Sequence, residues 1–483
     1  MLFNSQVFLY GYLPVTLIGF LLLARRAGAF AAQLWLTLAS IVFYAWTGWP
    51  VLWVLLLSIL VNFFVGRVLV ARAAAEQSSR LPLIAGIVFN LLLLGYFKYA
   101  HFIVDSLGLA DRLSFGEIAL PIGISFYTFT QIAFLVDAAR RQAEPYDLPR
   151  YGLFVTFFPH LIAGPIIHHK EMMPQFADPK TYVFSSENLA VGFSLFAMGL
   201  FKKVVFADRI APFASPVFSA AETGAAISFG DAWIAALAYT LQIYFDFSAY
   251  SDMAIGLARM FGIHLPINFN SPYKSRSIVE FWRRWHMTLS RFLRDYVYIP
   301  LGGNRHGKTR RYVNLIITML LGGLWHGANW TFVVWGGLHG VYLAINHAWG
   351  GLRWKLPDSL ALGLTFLATI VAWIFFRAES FSGATAMLRG LVGSTGLWEP
   401  NFVGIQGALY ALPMLIVALW APNTQQMLRD YMPASFYDIE PPRGQSKKLV
   451  LMPTRRTAAL VSFVFLIACL LIPKASEFLY FQF

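Results

Sequence analysis

Long apolar runs separated by short basic or proline-bearing stretches dominate the chain. They cover about residues 7–23, 30–46, 51–65, 81–97, 118–136, 189–201, 232–260, 312–324, 331–348, 360–376, 403–420 and 458–472, with an interrupted run at 151–167. A helix needs about 20 apolar residues to cross a hydrocarbon core. The pattern therefore predicts an all-α polytopic membrane protein with about 11–14 membrane helices, some short or re-entrant. One membrane-embedded domain is expected over residues 1–483. No period of about 20–50 residues and no matched pair of halves is visible, which argues against a repeat-built transporter.

The basic residues sort with the ends of these runs. Arg25 and Arg26 follow the first run, Arg67, Arg72 and Arg80 the third, and Arg140, Arg141 and Arg150 the fifth. Lys202, Lys203 and Arg209 follow the run at 189–201, and a polar loop before the last run carries Arg429, Arg443, Lys447, Lys448, Arg455 and Arg456. Cytoplasmic loops are enriched in Lys and Arg. Alternating from that rule puts both termini outside. The first run lacks a basic n-region ahead of it and is expected to remain as an uncleaved span.

Composition agrees: 58% of the residues are hydrophobic and 13% charged, against about 25% charged in soluble domains. The net charge of +13 is explained by the basic loops, so it points to membrane lipids and not to nucleic acid. The single cysteine, Cys469, lies in the last apolar run. It excludes a disulfide framework, a thiolate metal cage and an obvious acyl-cysteine intermediate, and it reads as a packed small hydrophobe.

Three places depart from plain spans. The run at 151–167 contains Pro159, His160, Gly164 and Pro165 and ends at His168, His169 and Lys170, which reads as a bent or re-entrant segment. His168 and His169 are adjacent and would point apart on a helix, so no metal is expected there. The run at 232–260 holds Asp246 and Asp252. A lipid-facing carboxylate costs about 2.5–3.5 kcal/mol, so both must face protein, water or a cation, with a nearby arginine the expected partner.

The third departure is residues 268–340. Lys274, Arg276, Arg283, Arg284, Arg291, Arg294, Arg305, Lys308, Arg310 and Arg311 are answered there only by Glu280 and Asp295. On a helical template Ile278–Tyr298 places Trp282, Trp285, Leu289, Phe292, Leu293 and Tyr296 on one face and the arginines on another, a basic amphipathic helix suited to an interface. His286 falls at the edge of the apolar face. His326 lies 15 residues beyond Arg311, about 22 Å along a helix, among Gly322, Gly323 and Gly327. Those glycines suit either close helix packing or an approaching substrate. A satisfied core histidine is the plain reading of His326; a functional base is the other, since intramembrane histidines are functional candidates. His339 reads as packed.

The phrases YSDMAIGLARMFG (250–262), SIVEFWRRWHMTLSRFLRDYVYIPLGGNR (277–305) and GLWHGANWTFVVWGGLHG (323–340) resemble the signature of the membrane-bound O-acyltransferase family. PIGISFYTFTQIAFLVD (121–137) and FFPHLIAGPI (157–166) fit as well, so the likeness covers nearly the whole chain. It is nearest the bacterial branch that contains the integral-membrane alginate O-acetyltransferase subunit and the teichoic-acid D-alanyl transferase. The resemblance implies helices around a tunnel or funnel, His326 as catalytic histidine and His286 as the second histidine of the site.

It implies acyl transfer from a cytoplasmic thioester, such as acetyl-CoA, with no tightly bound cofactor and no metal. His326 would take the hydroxyl proton, while His286 would orient a substrate or donate to the oxyanion. Arg283, Arg284 and Arg291 suit the phosphates of the donor, since guanidinium binds phosphate in bidentate fashion; lipid headgroups or an acidic carrier protein suit them equally. The implied setting is the bacterial inner membrane. The acceptor would be a polysaccharide such as alginate, reached directly or through extracytoplasmic acetyltransferase partner proteins. A proton-coupled transporter or flippase using His326, Asp246 and Asp252 as a relay is the alternative, and a non-catalytic export scaffold a third reading.

Overall fold

The computed structural model describes residues 1–113, 115–352, 355–397, 402–435, 450–472, 476, 478 and 479. Arg443, Lys447 and Lys448 of the expected cytoplasmic loop lie outside the described residues. Among the described residues the regular elements are helices, and the β-type contact recorded is an isolated bridge between Pro266 and Ser435. Five of them are long and apolar enough to cross a membrane: Phe8–Ala45, Trp49–Ala74, Arg80–Ser106, Ser186–Glu222 and Asp358–Arg377. Shorter apolar helices include Ile124–Ala139 and Gly404–Trp420.

The first of these is two antiparallel arms. At Gly28 the backbone turns to φ 85°, ψ 178°, a region open to glycine and closed to most side chains. Beyond it the chain returns along itself: Tyr12 donates to the Ala39 carbonyl at 2.8 Å and the Trp35 indole donates to the Thr16 carbonyl at 2.9 Å. The two apolar runs expected at 7–23 and 30–46 are these arms, with Arg25 and Arg26 exposed at the bend.

Polar side chains inside the N-terminal helices satisfy one another, as a hydrocarbon setting demands. Asn62 and Asn90 exchange side-chain hydrogen bonds at 3.1 and 2.6 Å. Gln131 donates to Ser58 at 2.8 Å and accepts from Tyr151 at 3.3 Å. This ties together the helices Trp49–Ala74, Arg80–Leu94 and Ile124–Ala139. Near their basic ends Arg141 and Glu76 form an ion pair at 3.4 Å, so the loops after Ala74 and Ala139 share one side, as the charge pattern requires.

The 32-residue helix Phe229–Met260 runs through the middle of the molecule and is buried from Gly230 onward except at Trp233 and Leu237. It packs on Ser186–Phe201 with almost no side chain between them. A Cβ added to Gly192 would lie 2.6 Å from the Gly256 carbonyl oxygen, and one added to Gly199 would lie 2.9 Å from that of Ala249. Small residues at such crossings let backbones approach and replace the hydrophobic driving force that lipid removes.

Asp246 and Asp252 do find cations, but these are lysines and not an arginine. Lys203 reaches Asp246 at 2.6 Å and Asp208 at 2.9 Å, and Lys202 pairs with Asp252. Lys202 and Lys203 therefore do not mark a cytoplasmic loop. They lie in a π-helical turn, Lys202–Ala207, that continues the helix Ser186–Phe201, and Lys203 is 2% exposed. The described C-terminal residues also turn inward. Phe478 packs edge-on against Tyr250 at 4.9 Å, and the Leu479 N–H donates to Asp246 at 2.9 Å.

Of the two forms expected for the run at 151–167, the bent one is seen. Helices Leu148–Thr156 and Phe158–Leu161 are separated at Phe157 and lead through buried, non-helical residues to His168. The expected amphipathic helix Ile278–Tyr298 is not continuous. It breaks into Ile278–Trp282 and Met287–Leu293, followed by a π-helical turn Arg294–Tyr298, with His286 at the corner in the left-handed region, φ 42° and ψ 54°. Periodicity registers the buried face correctly and cannot register the break.

Two outcomes test this architecture. Gly256→Leu should force the two central helices apart; overpacking of this kind costs about 1–3 kcal/mol or more, read as a lower unfolding temperature in detergent. Cysteines placed at the exposed Arg25, Arg140 and Arg310 positions should all be labelled from the cytoplasmic side by a membrane-impermeant reagent, and labelling of any one from the opposite side would break the assigned alternation.

Candidate active site

The helix Gly307–His326 ends at His326 because Gly327 leaves helical geometry for an extended conformation. The last carbonyls of a helix have no partner within it. Here the helix Arg80–Ser106 supplies them: Tyr99 donates to the Leu324 carbonyl at 2.8 Å, and the Lys98 ammonium donates to those of Trp325 and His326 at 2.7 and 2.9 Å. A π-helical turn, Gly95–Tyr99, presents both side chains. A cation is also what the negative end of a helix favours.

The His326 ring is buried among aromatic rings, with Trp325 at 5.0 Å, Trp335 at 5.0 Å and Phe376 at 5.1 Å between centroids. At Gly323, one of its three glycines, the helix-packing reading is realised. A Cβ on Gly323 would collide with the Phe332 carbonyl, and one on Gly336 with that of Met319, so Gly307–His326 and Trp330–Gly350 lie backbone to backbone.

His286 is held by the polar segment ahead of it. The Asn268 side-chain oxygen lies 3.1 Å from His286 Nδ1, and it accepts the Thr288 hydroxyl at 2.9 Å and the Thr288 backbone N–H at 3.3 Å. Because a backbone N–H can only donate, the Asn268 atom is the carbonyl oxygen, and His286 Nδ1 must carry hydrogen. A neutral His286 then presents its lone pair at Nε2. The same segment closes the broken backbone: Asn270 N–H donates to the Arg284 carbonyl and Met287 N–H to the Asn268 carbonyl, both at 2.9 Å.

These supports bring the two predicted histidines together. Their ring centroids are 6.3 Å apart, both rings are buried, and Trp325 touches each. The site's third histidine, His339, is fully buried; Trp282 donates its indole hydrogen to His339 Nδ1 at 3.2 Å.

A cavity of about 720 Å³ opens on the basic side, lined by Arg283, Arg291, Arg294, Arg311, Ser290 and Thr288 among polar residues and by Trp282, Met319 and Leu343 at its apolar wall. It reaches Thr288, the residue that shares Asn268 with His286. Of the predicted arginines, Arg283 is exposed and lines it. Arg291 lines it but also donates to Glu171 at 3.1 Å. Arg284 does not line it and is held by Glu280 at 3.0 Å and by the Asn270 carbonyl at 3.2 Å. A second cavity of about 100 Å³ lies beyond Trp325, lined by Lys98, Ser125, Gly123 and Ile162.

The pieces match a known family over most of the chain: residues 38–391 fit the MBOAT, membrane-bound O-acyltransferase, family. The chain belongs to the membrane-bound O-acyltransferases. It is 43% identical over 429 residues to the peptidoglycan O-acetyltransferase of Helicobacter pylori, covering 82% of this chain and 81% of that protein. It is 43% identical over 437 residues to the probable alginate O-acetylase AlgI of Pseudomonas aeruginosa, covering 87% and 81%. The teichoic acid D-alanyltransferase of Streptococcus thermophilus is 30% identical over 281 residues, covering 53% of this chain and 68% of that protein.

For a membrane-bound O-acyltransferase the arrangement is chemically apt: two imidazoles walled by aromatic rings, with a basic cavity that reaches Thr288, two residues from His286. Sequence reasoning missed Lys98, Tyr99 and Asn268. A lysine ending an apolar run is itself a signal, since it must find acceptors inside the protein. Asn268 carried none beyond its place ahead of the broken helix.

By releasing His286 Nδ1, Asn268→Ala is expected to lower acyl transfer by purified protein about 10–100-fold, the scale for loss of a partner that orients a histidine. Unchanged turnover in a folded variant would show that Asn268 serves only the backbone.

Proposed function

We propose that this O-acyltransferase moves an acetyl group from a cytoplasmic thioester, acetyl-CoA or an acyl carrier, towards an extracytoplasmic polysaccharide acceptor from the bacterial inner membrane. The observation that carries the reading is the buried His286–His326 pair, whose chain neighbours Met287 and Thr288 line the large basic cavity and Trp325 a small second one. A donor bearing phosphates suits the arginine side. Alginate is the favoured polymer, acetylated directly or through extracytoplasmic acetyltransferase partners, in line with the AlgI relatives; peptidoglycan is the competing acceptor, in line with the Helicobacter relative.

In this mechanism His326 removes the proton from the attacking hydroxyl as its oxygen bonds to the thioester carbon, then returns it to the departing thiolate. His286, with hydrogen on Nδ1 and a lone pair on Nε2, is set to accept from and orient a hydroxyl, not to donate to an oxyanion. Arg283 and Arg311 are the phosphate ligands best placed in the cavity, with Arg291 shared with Glu171. Asp246 and Asp252, each in an ion pair with a buried or half-buried lysine, offer no open proton relay of the kind a coupled transporter needs.

His326→Ala is expected to lower acetyl transfer about a hundredfold to ten-thousandfold with the protein still folded, and His286→Ala to impair it less. The measurement is thiol release from acetyl-CoA by purified protein supplied with alginate oligomers. A folded His326→Ala variant that keeps most of its activity would make that histidine structural. Arg283→Gln with Arg311→Gln should raise the KM for acetyl-CoA while leaving that for acceptor unchanged; an unmoved donor KM would return these arginines to the lipid interface.

A further inference from the structure

Three features of the helix Trp330–Gly350 are left over by this mechanism. Trp335 and His339 are both fully buried, one turn apart. Their ring centroids are 4.9 Å apart, and Trp335 also lies 5.0 Å from His326. Neither Trp335 Nε1 nor His339 Nε2 has a hydrogen-bond partner among the described residues.

Both atoms are donors. An indole nitrogen can only donate. Because Trp282 donates to His339 Nδ1, that nitrogen carries the lone pair, and a neutral His339 bears its hydrogen on Nε2. Two buried N–H groups without acceptors next to a suspected base call for an explanation, since native interiors leave few such groups. Their helix is held rigidly, backbone against backbone, at Gly323 and Gly336, and Trp373 stacks on Trp335 at 5.7 Å. The donors are thus fixed before any ligand arrives. Trp282, which orients His339, itself lines the basic cavity. From the cavity wall the rings follow one another: Trp282 lies 5.2 Å from His339, His339 4.9 Å from Trp335, and Trp335 5.0 Å from His326.

We propose that His339 and Trp335 form the donor pair that binds the carbonyl oxygen of the acyl group and stabilises its negative charge during transfer. The proposal rests on the reading of His326 as the base. As the hydroxyl oxygen bonds to the thioester carbon, its proton passes to His326 and the carbonyl electron pair moves onto oxygen, where the two N–H groups hold it. Collapse reforms the carbonyl, breaks the carbon–sulfur bond and sends the proton from His326 to the thiolate. His286 is excluded from this role by its bond to Asn268, which leaves an acceptor at Nε2. Preorganised donors aimed at developing charge are the usual main source of catalysis in acyl transfer.

The test uses the full chain, purified, with acetyl-CoA and alginate oligomers as the probe and thiol release as the signal. His339→Phe and Trp335→Phe keep an aromatic ring and remove the N–H. Each should lower kcat about 10²–10³-fold with the KM for acetyl-CoA within about twofold. His339→Gln, which retains a donor, should recover at least about tenfold of the loss, a rescue that a packing role would not produce. Should His339→Phe fail to yield folded protein, because it also removes the acceptor of Trp282, Trp335→Phe decides the question by the same measure. A folded variant with kcat within about twofold of wild type, or a loss confined to KM, overturns the donor pair while wild-type turnover still supports the proposed function. No thiol release by the wild type with alginate oligomers, with peptidoglycan fragments or with an extracytoplasmic acetyltransferase added overturns that function, and the donor pair with it.

Discussion

Backbone groups that leave a helix at membrane depth must be satisfied by protein, because the hydrocarbon around them offers no hydrogen bond. The candidate site sits where several helices end, break or loosen together. The helix ending at His326, the break at His286 and the π-helical turn at Gly95–Tyr99 all expose polar backbone, and each supplies or receives what the others lack. Lys98 and Tyr99 take the carbonyls of Leu324, Trp325 and His326. The Asn268–Asn270 segment takes the groups freed between Arg284 and Thr288. The histidines are positioned because the irregular backbone beneath them is hydrogen-bonded at these points.

This arrangement needs a firm frame, and the frame is built from close contacts and buried charge. Gly192, Gly199 and Gly256 bring the central helix against its neighbour, while Lys202 and Lys203 hold Asp252 and Asp246 inside the protein. A second support lies at the basic end. His169 lies 3.2 Å from Asp137, Tyr296 donates to the other Asp137 oxygen at 3.0 Å, and Arg291 pairs with Glu171. Together they fasten the bent segment's end and the helix Ile124–Ala139 to the segment that follows His286. Removing one partner of such a buried pair leaves the other uncompensated, so these contacts act as constraints on geometry more than as sources of net stability.

Aromatic rings do the remaining work at the centre. Trp282, Trp325, Trp335, Trp373 and Phe376 enclose His326 and His339 edge-on and stacked. They exclude water while offering N–H groups at fixed positions. Such an enclosure strengthens every charge interaction inside it.

The sequence by itself determined the membrane class, several of the spans and the family, and it singled out two histidines that the fold brings together. Those follow from apolar run length, from arginines at run ends and from local phrases, all properties of neighbouring residues. It also marked Asp246 and Asp252 as needing cations, because a carboxylate in an apolar run is costly wherever it lies. Only the tertiary structure decided which cations those were, that Lys202 and Lys203 are interior and not loop residues, and that the amphipathic helix breaks at His286. It alone decided the orientation of His286 and the exposure of donors on His339 and Trp335. Each of these depends on a partner far away in the chain: Asp246 for Lys203, Asn268 for His286, Trp282 for His339, Lys98 for the end of the His326 helix. Periodicity reports which face of a segment is buried. It carries no information about which distant polar atom will satisfy the backbone when that segment bends.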